Sequence, residues 1–296
     1  MSNYPGYEEK ELNAADELWE ILSPTRELAA KPCRFIYRGH GDATWDLIPS
    51  ILRFDDQNPA TILFGNSNHA DNQVAAEKML LDMFARNCDA AGIKIPNDSL
   101  SFREEELNLQ SGDKYYINPS LWPNEKLYEL MALAQHHGIP TRLLDWTAIP
   151  YVAVYFAASQ AMDFQKVKWE DGTRLAVWAL NTERLSRYNE SVKLITPNGA
   201  ITPHIPAQTG CFTIHTQEGY RRTPLQLTRL DEVFTTLPDT PLIKLTIPIN
   251  ESLRLLALCG KSGFTGARMY PSAYGARLAV MDSINAQARI NHNECF

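Results

Sequence analysis

No stretch of the sequence approaches the ~20 apolar residues that a membrane-spanning helix needs. Cysteine is scarce: Cys33, Cys88, Cys211, Cys259 and Cys295 are odd in number, widely spaced and free of any CxxC pair. That pattern excludes a disulfide framework and a zinc knuckle, and fits a reducing compartment. Met1 to Lys10 has no basic start leading into an apolar core, so no secretory signal is visible there. The expectation is a soluble, cytoplasmic protein with no membrane partner. Positive charge is also short: 28 Lys and Arg face 35 Asp and Glu, a formal charge of -7. This excludes a protein that coats nucleic acid through bulk charge, though not a local basic site. No GxSxG, P-loop, HExxH or Walker-type lysine occurs. Gly260, Gly263 and Gly266 have the wrong spacing for a phosphate loop and no strand just before them, which predicts a surface turn.

What is present is an ordinary globular composition, 44% hydrophobic and 21% charged over 296 residues. That length fits one large domain or two small ones, and can bury a core without staples. Helical spacing covers residues 8–23, with Leu12, Leu18, Ile21 and Leu22 on one face and Pro24 at the end. Further helices are predicted over Val74–Asn87, about 124–137, Pro150–Ala161, Glu251–Cys259 and Ser272–Ile284. Phe35-Ile36-Tyr37, Arg174–Leu180, Val192–Ile195, Cys211–His215 and Leu242–Ile247 read as strands. Residues 57–72 read as a loop, 96–124 as a long irregular insertion, and Asp145-Trp146-Thr147 as a tight corner. With no linker or repeat, these elements predict an N-terminal helical segment, 1–30, and one α+β domain, 31–296. Its sheet is expected to be mostly antiparallel, split or bent, and flanked by helices.

Two segments carry the chemistry. The first is Tyr37-Arg38-Gly39-His40-Gly41-Asp42, followed by Trp45, Leu47, Pro49, Ser50 and Arg53. An arginine at a strand end beside glycines is costly to bury alone. Arg38 therefore either pairs with Asp145 or Asp42 to hold the fold, or awaits an anion, for which its planar fork suits phosphate. The second runs Gln135-His136-His137-Gly138-Ile139-Pro140-Thr141-Arg142-Leu143-Leu144-Asp145-Trp146-Thr147. So many polar groups between two apolar helical faces must satisfy one another or a ligand. His136 and His137 have no third or fourth ligand nearby, so no metal is expected. A helix C-terminus, which favours partial positive charge, is the competing place for them.

Together these segments resemble the FRG-domain family, named for a Phe-Arg-Gly motif that here reads Tyr37-Arg38-Gly39. The family's aromatic-Leu-Pro-Ser-Arg element is similar to Trp45, Leu47, Pro49, Ser50 and Arg53. Its longest run is similar to Gln135–Thr147, with His137 in place of an aromatic, and continues into Pro150, Ala153, Tyr155, Phe156 and Ala157. Ala207–Ile214 and Tyr270-Pro271 with Gly275-Ala276 extend the likeness, which spans about residues 31 to 285.

The order of elements also resembles ADP-ribosyltransferases: an Arg on the first strand, a hydroxyl before an Ala-rich helix, and a late Gly-x-Phe-x-Ile strand. This resemblance implies an NAD-consuming transferase or glycohydrolase, a toxin or phage-defence effector acting on a nucleic-acid or protein acceptor. Carried over, Arg38 anchors NAD and Thr147 contacts a ribose. The glutamate of that fold has no counterpart before Gly210, where Gln208 and His204 stand instead, and neither supplies a negative charge. The resulting assignment has Gln208, Thr147 and Asp145 as catalytic residues. Arg38, Gly39, His40, Gln135, His136 and Arg142 bind the cofactor, NAD, as substrate. A non-catalytic module recognising a nucleotide, RNA or a protein is the alternative, with Trp45 or Trp146 stacking on a base. In a third reading the polar run only locks two halves of the fold together.

Overall fold

A computed structural model describes residues 4–30, 34–53, 58–64, 69–111, 113–199 and 203–293. Cys33, Cys295 and parts of the 57–72 loop lie outside the described residues. The strands are β1 (Glu8–Glu11), β2 (Phe35–His40), β3 (Leu144–Thr147), β4 (Arg174–Asn181), β5 (Val192–Ile195), β6 (Gly210–His215) and β7 (Leu242–Pro248). The longer helices are α1 (Ala15–Ile21), α2 (Ala70–Ala90), α3 (Tyr128–His136), α4 (Pro150–Met162), α5 (Ser252–Lys261) and α6 (Ala273–Asn293). The fold is α+β, as expected: one mixed seven-stranded sheet in the order β1-β7-β4-β2-β3-β6-β5, flanked by helices. Only β1 and β7 pair in parallel; every other neighbour is antiparallel.

Strand β4 is buried from Leu175 to Asn181 because both faces are covered, which explains its near-continuous apolar run. One face packs on α4, whose Val152, Ala153, Ala157 and Ala161 join Tyr37, Val177 and Leu245 in a shared core. The opposite face holds Ile36, Leu144, Trp146, Trp178 and Phe234. A third core gathers α2 and α3 against Phe212 and Ile214 of β6. Gly39 permits this closeness: a Cβ there would come 2.0 Å from the Ala153 carbonyl oxygen. The glycine is thus required by helix-on-strand packing.

Several expected elements change. Residues 8–11 form an exposed, charged edge strand, and the helix begins only at Ala15. The Asp145 corner is strand β3, too short and polar to announce itself. Pro59–Phe64 is helical within the expected loop, with Asn58 Oδ1 accepting from the Ala60 amide at 2.8 Å. Helix α6 continues past Ile284 to Asn293.

One irregularity positions the site. Strand β2 runs against β4 along its whole length, yet meets β3 at a single registered pair, Tyr37 and Thr147. Beyond that pair the two strands part.

Candidate functional site

A cavity of about 270 Å³ opens at this parting, walled by Arg38, Gly39, Thr147, Phe156 and Gln160 among others. It shares Gln135, Asp145, Trp146, Gln208 and Tyr270 with a smaller chamber of about 100 Å³, into which His136 also faces. The two form one cleft.

Arg38 bridges the split. Side chains alternate along a strand, so Arg38 and His40 share a face while Gly39 turns to α4. The Arg38 Nε accordingly donates to His40 Nε2 at 2.9 Å. Its Nη1 donates to the Asp145 backbone oxygen at 2.8 Å and lies 3.5 Å from the Asp145 carboxylate. Among the described residues none accepts a hydrogen bond from Nη2. Burial lowers the Arg38 pKa, Asp145 opposes that shift, and nearby Arg53 adds to it. The guanidinium, 14% exposed, stays charged.

The second segment holds Asp145 in place through a relay. The Thr141 hydroxyl donates to Gln135 Oε1, which fixes the amide so that Gln135 Nε2 donates to Asp145 Oδ1 at 2.7 Å. The Asp145 carboxylate remains 62% exposed at the cleft. Thr147 lines the cavity, but its hydroxyl donates to the Gln208 backbone oxygen at 2.6 Å and accepts from the Ile149 amide at 3.0 Å. Gln208 faces the cleft with its Nε2 donating to the Met269 oxygen at 3.1 Å. His136 packs against His204 with the rings tilted and their centres 4.1 Å apart. Burial, with His204 and His137 adding to it, takes the His136 pKa down to about 4, so its ring is neutral at pH 7. His137 turns outward against Phe84.

The structure thus brings Arg38, Gly39, Gln135, His136, Asp145, Thr147 and Gln208 to one cleft. Two candidates stand apart from it. His40 is buried behind Arg38. Arg142 is 1% exposed and gives its Nε to Glu77 of α2, at 2.7 and 2.9 Å from the two carboxylate oxygens. Its place is a buried ion pair, away from the cleft. The sequence reading missed Tyr270 and Gln160 as lining residues. Gly275 was the available signal for Tyr270: a Cβ there would come 1.9 Å from the Tyr270 carbonyl oxygen, so the glycine fixes that turn. Among the described residues no group of three or more His, Cys, Asp or Glu could hold a metal ion. No helix among them is long and apolar enough to cross a membrane.

Residues 33–166 match the FRG domain family. The FRG match covers Arg38, Gly39, His40, Gln135, His136, Arg142, Asp145 and Thr147, while Gln208 and Tyr270 reach the cleft from beyond it. No curated protein and no solved structure matches the chain. The likeness to ADP-ribosyltransferases therefore rests on the order of residues alone.

Proposed function

We propose that the cleft binds the phosphates of NAD and that the protein consumes NAD, as an ADP-ribosyltransferase or NAD glycohydrolase in the role of a toxin or defence effector. The observation that carries this is Arg38: a charged guanidinium on the cavity wall, held through Nε and Nη1, with Nη2 uncommitted among the described residues. Such a group suits a phosphate oxygen. In the reaction the bond between ribose C1′ and the nicotinamide nitrogen breaks, and its electron pair leaves with nicotinamide. Water or an acceptor hydroxyl then bonds to C1′ and loses a proton. Asp145 is the single carboxylate on the described lining. It supplies the negative charge that favours the cationic sugar, a part neither Gln208 nor His204 can play.

Purified protein incubated with NAD should release nicotinamide in proportion to time and protein, as read by chromatography. A second reading, a non-catalytic nucleotide module, draws support from Thr147 and Gln208, whose hydroxyl and amide are engaged by backbone groups. NAD bound and recovered unchanged, with no acceptor modified, would select that module. If NAD is neither bound nor cleaved, the NAD reading falls and a module for another nucleotide, RNA or a protein is left.

A further inference from the structure

We propose that His40 is a positioning residue that aims Arg38 into the cleft without cancelling its charge. The inference rests on the anion reading of the cleft. A guanidinium Nε–H can only donate, so the 2.9 Å bond to His40 Nε2 requires that nitrogen to be bare. The ring proton then sits on Nδ1, and a hydrogen bond between the ring and the Trp45 backbone opposes the fall in the His40 pKa. The indole Nε1 of Trp178 also lies 3.3 Å from Nδ1. In this tautomer that approach sets one donor against another, so it is a packing contact rather than a bond. His40 is 3% exposed, and burial followed by Arg38 and Arg53 holds its pKa well below the ordinary imidazole value.

The consequence is electrostatic. A buried arginine is ordinarily held by a carboxylate, as Glu77 holds Arg142. Arg38 is oriented instead by a neutral imidazole and a backbone oxygen, with the Asp145 carboxylate 3.5 Å away and mostly in solvent. Its fork is fixed and its charge left available to an incoming anion.

The test has two parts. In ¹⁵N-labelled protein without ligand, NMR should show a through-hydrogen-bond coupling between Arg38 Nε and His40 Nε2, absent in H40A. A folded wild-type protein without that coupling would overturn the positioning role, whatever NAD does. The affinity for inorganic pyrophosphate should then fall at least about tenfold in H40A. In H40Q a neutral acceptor is restored and most of the affinity returns. H40E should fold and yet bind at least about tenfold more weakly, because the new carboxylate pairs with Arg38. H40E binding as tightly as H40Q would overturn the charge-preserving role. Wild-type protein that shows the coupling but binds no pyrophosphate would defeat both this role and the anion reading. Pyrophosphate binding without NAD binding would defeat the NAD assignment alone and support the role given to His40.

Discussion

Arg38 and Arg142 come from the two most informative segments of the chain, and both are largely removed from solvent. Arg142 meets a carboxylate through both of its oxygens and lies away from the cleft. Arg38 meets a neutral ring nitrogen, a backbone oxygen and, at 3.5 Å, the mostly exposed Asp145 carboxylate, where β2 and β3 part. Each also depresses the pKa of a buried histidine, Arg142 that of His215 and Arg38 that of His40. The comparison teaches that the partner's setting matters: Arg142 faces a buried carboxylate, Glu77, and Arg38 a mostly solvent-exposed one, Asp145, at 3.5 Å.

The largest effect should come from breaking the paired arginine. Glu77→Ala strands the buried Arg142 charge and is expected to cost about 3–5 kcal/mol of stability, read from denaturant unfolding. Loss below about 1 kcal/mol would place Arg142 in a wetter setting than the structure gives it.

Acid should act on the same side of the molecule. Burial takes the His215 pKa down to about 4, with Arg142 contributing and the Thr228 carbonyl opposing. The unfolded chain binds this proton below about pH 6.5 and the folded one only near 4, so stability rises with pH across that window. The contribution is full above about 6.5, is lost as the pH falls through 4, and is on the order of 3 kcal/mol. Unfolding curves at pH 7 and pH 4 measure it, and His215→Asn should flatten the difference. His136 adds to the trend with the same sign.

On the other side, Asp145→Asn removes the carboxylate nearest Arg38. NAD affinity should hold or rise, because Arg38 loses a competing partner, while nicotinamide release falls about a hundredfold. Equal release by the variant would take Asp145 out of the chemistry. The smallest effect is expected at Thr147. Thr147→Val gives up the hydroxyl that ties Gln208 to Ile149 and should cost about 1–2 kcal/mol, recovered by Thr147→Ser.

Much of this was legible in the residues. The period of Val74, Leu80, Leu81 and Phe84 and the proline at position 150 mark α2 and α4, since a buried helical face must repeat with the turn. Arg38, Gln135, Asp145 and Thr147 were visible because polar groups with nowhere to go must meet one another or a ligand, and here Arg38, Gln135 and Asp145 meet one another. Arg142 was read as a cleft residue because its partner Glu77 lies 65 positions away, and no local spacing reports such a pair. Strand β1 was hidden by its charges, which suit a sheet edge as well as a helix face. Tyr270 was hidden for a related reason: it joins the cleft through a turn built by Gly275, far along the chain from the other walls.

The most direct test of the Arg38 site is a calorimetric titration of NAD into wild-type protein and Arg38→Gln, with unfolding curves of both. The account predicts binding by the wild type, affinity at least about tenfold weaker in the variant, and stability changed by less than the Glu77→Ala loss. Equal affinity in a folded Arg38→Gln protein would contradict it.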